Sequence, residues 1–173
     1  MELQGRKIAI LAADDYEDTE LLYPYYRMRE AGAEVHVVGM ASSGAVVRSK
    51  HGYPVSIDLR ADEANAEEFD AVIVPGGYAP DKLRRCKATL AFVSSLFRQN
   101  KVVAAICHAG WVLVSADVLK GKRVTSFSAI KDDMKNAGAD WVDEEVVVDG
   151  NLITSRHPAD LPVFCRAIIH ALR

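Results

Sequence analysis

No stretch of this chain is long enough and apolar enough to cross a bilayer. The longest run without an acidic or basic Asp, Glu, Lys or Arg residue, 102–116, is 15 residues long and contains Cys107, His108 and Gly110, whereas a spanning helix needs about 20 apolar residues. The only apolar segment near the start, 8–13, lies behind Arg6 and Lys7 and runs into Asp14-Asp15 instead of a small-residue cleavage site. No secretory leader is expected there, and the expected location is cytoplasmic. Basic runs are also missing: opposite charges interleave and the net charge is −3, so no nucleic-acid-binding surface is expected. Eleven Gly and six Pro in 173 residues are too few for a fibrous or disordered chain. Only three cysteines occur, Cys86, Cys107 and Cys165, at wide and unequal spacing. They make no disulfide framework and no CxxC zinc pattern, so no metal is expected and each thiol is free in a reducing compartment. There is no GxGxxG and no GxxxxGK[ST], the phosphate-cradling loops of nucleotide sites, and no cofactor is expected.

What is present is ordinary for a globular protein: half of the residues are hydrophobic and 26% are charged. With no internal repeat or Pro/Ser linker, 1–173 reads as one domain. Short continuous apolar runs at 7–13, 34–40, 70–77 and 101–106 predict buried parallel strands. Amphipathic stretches at 16–31 (with Pro24 inside and Gly32 closing it), 80–100, 109–119, 131–137 and 159–172 predict helices. Residues 46–58 read as a hairpin-like excursion, 123–127 as a short strand, and Asp149-Gly150-Asn151 as a hairpin turn. Strands alternating with helices predict an α/β fold with a parallel sheet covered on both faces. Sites in such folds form at the carboxyl ends of strands. Three ends stand out: 14–18 after the first strand, Pro75-Gly76-Gly77 after the third core strand, and Cys107-His108 after the fourth.

Cys107 directly follows a buried run and opens a helix, the layout of a nucleophile elbow. A helix N-terminus behind it favours a thiolate, and backbone N–H groups at His108 and Gly77 are expected to converge on an oxyanion, with Gly76 in the same oxyanion- or substrate-binding set. The competing reading is one more buried core thiol; the adjacent His108 at a strand end favours the nucleophile. Five carboxylates crowd 14–20: Asp14, Asp15, Glu17, Asp18 and Glu20. They read mainly as a solvated first helical turn. A phosphoacceptor receiver domain needs a further Asp where Pro75-Gly76 stand. Cys86 and Cys165 read as packing residues in helices. His36 and His170 read as ordinary packing or surface residues, and His157 as a loop residue that could approach the site.

Five stretches, 14–32, 50–59, 67–84, 103–126 and 130–162, resemble the PfpI family of the class I glutamine-amidotransferase-like superfamily, in order and over nearly the whole chain. The resemblance implies a flavodoxin-like three-layer sandwich with a nucleophile elbow at Cys107 and His108 beside it. It implies that Glu17 sits against the Cys107 sulfur, protonated when the thiol is charged, and that Gly76 and Gly77 line the site. It further implies that Asp81, where the family commonly has Glu, orients His108 from a neighbouring subunit of a homo-oligomer, a dimer or hexamer. The chain departs from the frequent Cys-His-Gly-Pro at Ala109-Gly110, and has Phe127 where some members carry a tyrosine. Three functions follow from the resemblance. One is a cysteine-dependent enzyme on small carbonyls or glycated protein, glyoxalase III-like or deglycating. Another is an oligomeric cysteine peptidase. The last is a redox sensor that oxidises at Cys107.

Overall fold

The computed structural model describes residues 1–173. In chain order the strands are β1 (Lys7–Ala12), β2 (Glu34–Gly39), β3 (Val46–Arg48), β4 (Pro54–Ser56), β5 (Leu59–Arg60), β6 (Ala71–Val74), β7 (Val102–Ile106), β8 (Arg123–Val124), β9 (Asp140–Trp141), β10 (Val146–Asp149) and β11 (Leu152–Ser155). The helices are α1 (Asp18–Glu30), α2 (Ala79–Leu83), α3 (Lys87–Arg98), α4 (Gly110–Ser115), α5 (Lys131–Asn136) and α6 (Leu161–Leu172). The central sheet has the order β10-β11-β7-β6-β1-β2-β5, and every pairing in it is parallel except β10 with β11. Helices α1 and α6 pack together on the sheet, and α3 and α4 pack together on it as a second layer. The expected mainly parallel α/β sandwich is therefore the observed one.

The apolar runs become strands for a simple reason. With helices on both faces, neither side of β1, β6 or β7 meets water, so alternation is replaced by continuous hydrophobicity. Ile8 to Ala12 are at most 1% exposed, and all of β6 and β7 is buried. The strand order reverses at β1, which pairs with β2 on one side and β6 on the other. A crevice opens above the carboxyl ends of β1 and β6, the usual ligand position in open α/β sheets.

Helix α1 continues through Pro24, whose missing N–H leaves the Glu20 carbonyl without its usual donor. It ends as predicted at Gly32, which takes φ +100° while the Gly32 and Ala33 N–H groups bond the carbonyls of Arg29 and Met28. The 46–58 segment is a hairpin, β3 against β4, and the Asp149-Gly150-Asn151 turn joins β10 to β11. Two differences matter for function. The single helix expected over 80–100 is two, α2 and α3, broken at 84–86, so Cys86 caps α3 instead of lying inside a helix. The helix expected over 109–119 is short, preceded by one 3-10 turn at Cys107–Ala109 and ending at Ser115.

Candidate active site

Cys107 is the first residue beyond β7 and has φ 62°. A non-glycine residue in the left-handed region is held there by its surroundings at a cost of about 1–3 kcal/mol. The turn lifts the side chain off the sheet edge, where it is 9% exposed in a hollow of about 320 Å³. Four groups meet the sulfur. His108 Nδ1 lies 3.2 Å from Sγ. The backbone N–H groups of His108 and Gly77 point at the sulfur, and so does the Glu20 side chain.

The carboxyl beside Cys107 is thus Glu20. Glu17, expected to touch the sulfur, lines the same hollow but directs its carboxylate to Lys50 in an ion pair. Glu17 is the extended residue that precedes α1, whereas Glu20 lies in its first turn on the buried stripe with Pro24 and Met28. Glu20 is fully buried; Oε2 accepts from the Gly76 N–H at 2.7 Å, and Oε1 has no hydrogen-bond partner. Burial, with the Glu17 charge nearby, pushes Glu20 up to about 7 against the Gly76 hydrogen bond. Burial first, and the Glu20 charge second, push Cys107 up to about 12. These values belong to the pair, which sheds its protons in two steps. Between the steps the pair carries one negative charge and one shared proton. The form with Glu20 protonated and Cys107 ionised is supported by the carboxyl O–H and two backbone N–H donors.

Gly76 and Gly77 have separate roles. The Gly76 N–H is occupied by Glu20, so it is not a free oxyanion donor as expected. The residue has to be glycine, because a Cβ would stand 2.5 Å from Glu20 Oε2 and 2.7 Å from Cys107 Cβ. Gly77 has φ +79° and a Cβ there would stand 2.5 Å from the Glu17 nitrogen; its own N–H is one that faces the sulfur.

His108 is clamped between aromatic rings, stacked on Phe127 at 5.0 Å between centroids and edge-on to Trp111 at 5.2 Å. Its pKa is lowered, by burial first and by the Lys50 charge second, which keeps the imidazole neutral near neutral pH. No carboxylate of this chain contacts it. Asp81, expected to orient it, is exposed on α2 and pairs only with Arg85 at 3.6 Å. Phe127, expected near the site, lies in it, and its N–H bonds the Cys107 carbonyl at 3.2 Å.

Sequence reasoning missed Lys50 and left His157 as a loop residue; both line the hollow, with Tyr78 and Pro158. Lys50 is delivered by the hairpin, which the acidic 14–18 segment holds in place. The Arg48 N–H donates to Asp14 at 2.8 Å, the Ser49 hydroxyl to Asp18 at 2.6 Å, and the Lys50 N–H to the Tyr16 carbonyl at 3.0 Å. The fully buried Tyr16 donates its hydroxyl to the Tyr53 carbonyl at 2.7 Å. These carboxylates therefore anchor a neighbouring element rather than simply solvating a helix turn. No cluster of three or more His, Cys, Asp or Glu side chains is placed to hold a metal ion.

A model of the DJ-1/PfpI family matches residues 6–171. The chain belongs to the DJ-1/PfpI family. It is similar to Deglycase PfpI of Pyrococcus furiosus, 46% identical over 96% of this chain and 99% of that one. It is also similar to Protein/nucleic acid deglycase 2 of Escherichia coli, 42% identical over 97% of this chain and 98% of that one. Among solved structures, a two-domain protein of Anabaena variabilis with DJ-1/ThiJ/PfpI-like and ferritin-like domains superposes with a TM-score of 0.94 at 48% identity. That match covers 96% of this chain and 48% of the two-domain chain. The relatives named deglycases thus match nearly the whole of this chain.

Proposed function

We propose that this DJ-1/PfpI protein is a stress-protective enzyme acting on reactive carbonyls, with Cys107 as nucleophile. The observation that carries this reading is the strained elbow that aims the Cys107 sulfur at a buried carboxyl, an imidazole and two backbone N–H donors. The deglycase names of the relatives support the substrate class. A hollow of about 320 Å³ suits a small carbonyl compound, at the lower end of ligand pockets.

The chemistry follows from the groups present. The Cys107 thiolate adds to the aldehyde carbon of a 2-oxoaldehyde such as methylglyoxal, forming a C–S bond. The oxygen takes the proton from Glu20, giving a hemithioacetal. With a glycated amine the same carbon is attacked and the amine leaves with one proton. Neutral His108 removes the C–H proton and returns it to the adjacent carbon, while the hydroxyl proton passes to the former ketone oxygen, which converts the hemithioacetal to a thioester of a 2-hydroxy acid. Water cleaves the thioester, releasing the acid and restoring the thiol. Methylglyoxal plus water becomes lactic acid, with no external oxidant.

A second reading, an oligomeric cysteine peptidase, is favoured by one feature. His108 has no acidic partner within its own chain, while Asp81 is exposed on α2. Its completion needs Asp81 from another copy, and the exposed Tyr23, Tyr26 and Tyr53 support a homo-oligomer. Three free thiols fit a reducing, cytoplasmic setting.

The deciding assay follows methylglyoxal loss and lactate release in the wild type and in Cys107→Ser. Turnover in the wild type and its loss in Cys107→Ser are expected. Equal turnover in both overturns the reading. Peptide hydrolysis abolished by Asp81→Ala, without lactate, assigns the peptidase. A gain of two oxygens at Cys107 under mild peroxide, without either turnover, assigns the sensor.

A further inference from the structure

The Cys107 hollow contains a permanent cation that no sequence motif announced. Lys50 lies on the β3–β4 hairpin, its backbone fixed by the hydrogen bond to the Tyr16 carbonyl and by the Ser49–Asp18 contact beside it. Its ammonium lines the hollow and has one ion-pair partner, Glu17. The other titratable groups lining the hollow with Cys107 are Glu20 from α1, His108 on the elbow, Tyr78 after β6 and His157 before α6. His108 is kept neutral. Lys50 is therefore the one lining side chain that carries a fixed positive charge.

We propose that Lys50 is a positioning residue for the reaction: its ammonium supplies the charge against which the Cys107 sulfur ionises, and Glu17 limits that charge. This rests on the carbonyl chemistry proposed above for the same site, and it names two residues that set the nucleophile's reactivity without bonding to it.

A charge count gives the direction. When the Glu20–Cys107 pair has lost one proton it contributes minus one. Lys50 and Glu17 cancel, so the hollow holds minus one in total. Removing the Lys50 charge leaves Glu17 unopposed and raises the total to minus two, which disfavours a thiolate. Removing the Glu17 charge instead frees Lys50 and brings the total to zero, which favours a thiolate. The fields of Glu17, Glu20 and Cys107 in turn hold Lys50 in its charged state. Two neighbouring residues thus have opposite effects, which a merely structural role for either does not produce.

The test is the iodoacetamide alkylation rate of Cys107 at pH 7, read by peptide mass spectrometry, in Lys50→Met, Lys50→Arg and Glu17→Gln. A charge within about 4–6 Å shifts a group by about one unit or more, which is about tenfold in thiolate population. Lys50→Met is expected to react about tenfold slower, Glu17→Gln faster than wild type, and Lys50→Arg close to wild type. Lys50→Gln replaces Lys50→Met if the latter does not fold, as judged by circular dichroism. Changes of the same sign in Lys50→Met and Glu17→Gln, or no change in either, overturn the proposal. Alkylation needs no turnover, so a failed carbonyl assay with the expected alkylation order refutes the substrate reading and leaves the Lys50 assignment standing.

Discussion

Glu20 and Gly76 are joined by a 2.7 Å hydrogen bond from the backbone N–H after β6 to the carboxyl oxygen on α1. That bond fixes the carboxyl beside the Cys107 sulfur and leaves its second oxygen without a partner. Cys107 reactivity then depends on a proton shared with Glu20, with the first loss from the pair near pH 7 and the second near 12.

The expected pH profile follows. Alkylation of Cys107 rises through about pH 7 in the wild type, as the pair becomes a monoanion. Glu20→Gln removes that ascending limb but keeps an N–H donor for the thiolate; Glu20→Leu removes both and reacts more slowly than Glu20→Gln at pH 8. Rate–pH curves that superpose for all three proteins refute the pairing.

Stability carries the opposite slope. The Glu20–Cys107 pair gives up its first proton at about 7 in the fold, above the 4.5 of a free glutamate, so the folded state keeps a proton that the unfolded chain releases. The stabilisation is complete below about pH 4.5 and is lost as pH rises to about 7. Its full size is about 3 kcal/mol by linkage. Urea unfolding from pH 4.5 to 7.5 should show this decline in the wild type and a flatter profile in Glu20→Gln.

Much of this was legible in the sequence. The runs at β1, β6 and β7 read correctly because a strand buried on both faces leaves an uninterrupted apolar word, and the Cys107 elbow follows from where β7 stops. Glu17 and Glu20 were harder to separate, since both sit in one acidic stretch. The distinguishing signal was spacing: Glu20, Pro24 and Met28 recur every four residues on the buried face. A carboxylate on that stripe is costly unless it is used or satisfied. Lys50 was invisible, because its approach depends on hydrogen bonds between segments 14–18 and 48–53. The break before Cys86 carries no Gly or Pro signal. It is held by tertiary contacts of Arg84, which bonds Ser115 at 3.0 Å and lies over the Trp111 ring.

The two glycines after β6 should tolerate no side chain. Gly76→Ala forces either Glu20 or the Cys107 turn to move, with an expected loss of about 1–3 kcal/mol and of carbonyl turnover. Gly77→Ala meets backbone atoms and a left-handed φ, so its melting temperature should fall further than that of Gly76→Ala. The reverse order would contradict the assigned clash.

The three thiols should separate under brief alkylation of the native protein. Cys165 is 1% exposed and burial pushes it up to about 12, so it stays unlabelled. Cys86 is half-buried at the start of α3; burial opposes ionisation, but hydrogen bonds from Thr89 and nearby backbone groups outweigh it and hold the thiol below its ordinary range. Peptide mapping should find label at Cys86 even in Cys107→Ser. Label at Cys165 before Cys86 would reverse the reading.

The walls of the Cys107 hollow come from residues near 17–20, 50, 77, 107, 127 and 157, drawn from almost the full span of the chain. Contacts so distant in sequence form only after the intervening loops have closed. The surroundings of Cys107 are therefore assembled late: a nascent or nicked chain that has collapsed around β1, β6 and β7 still lacks the hairpin cation and the segment before α6. Recovery of Cys107 reactivity during refolding should lag the return of helical signal, making the thiol a reporter of completed folding.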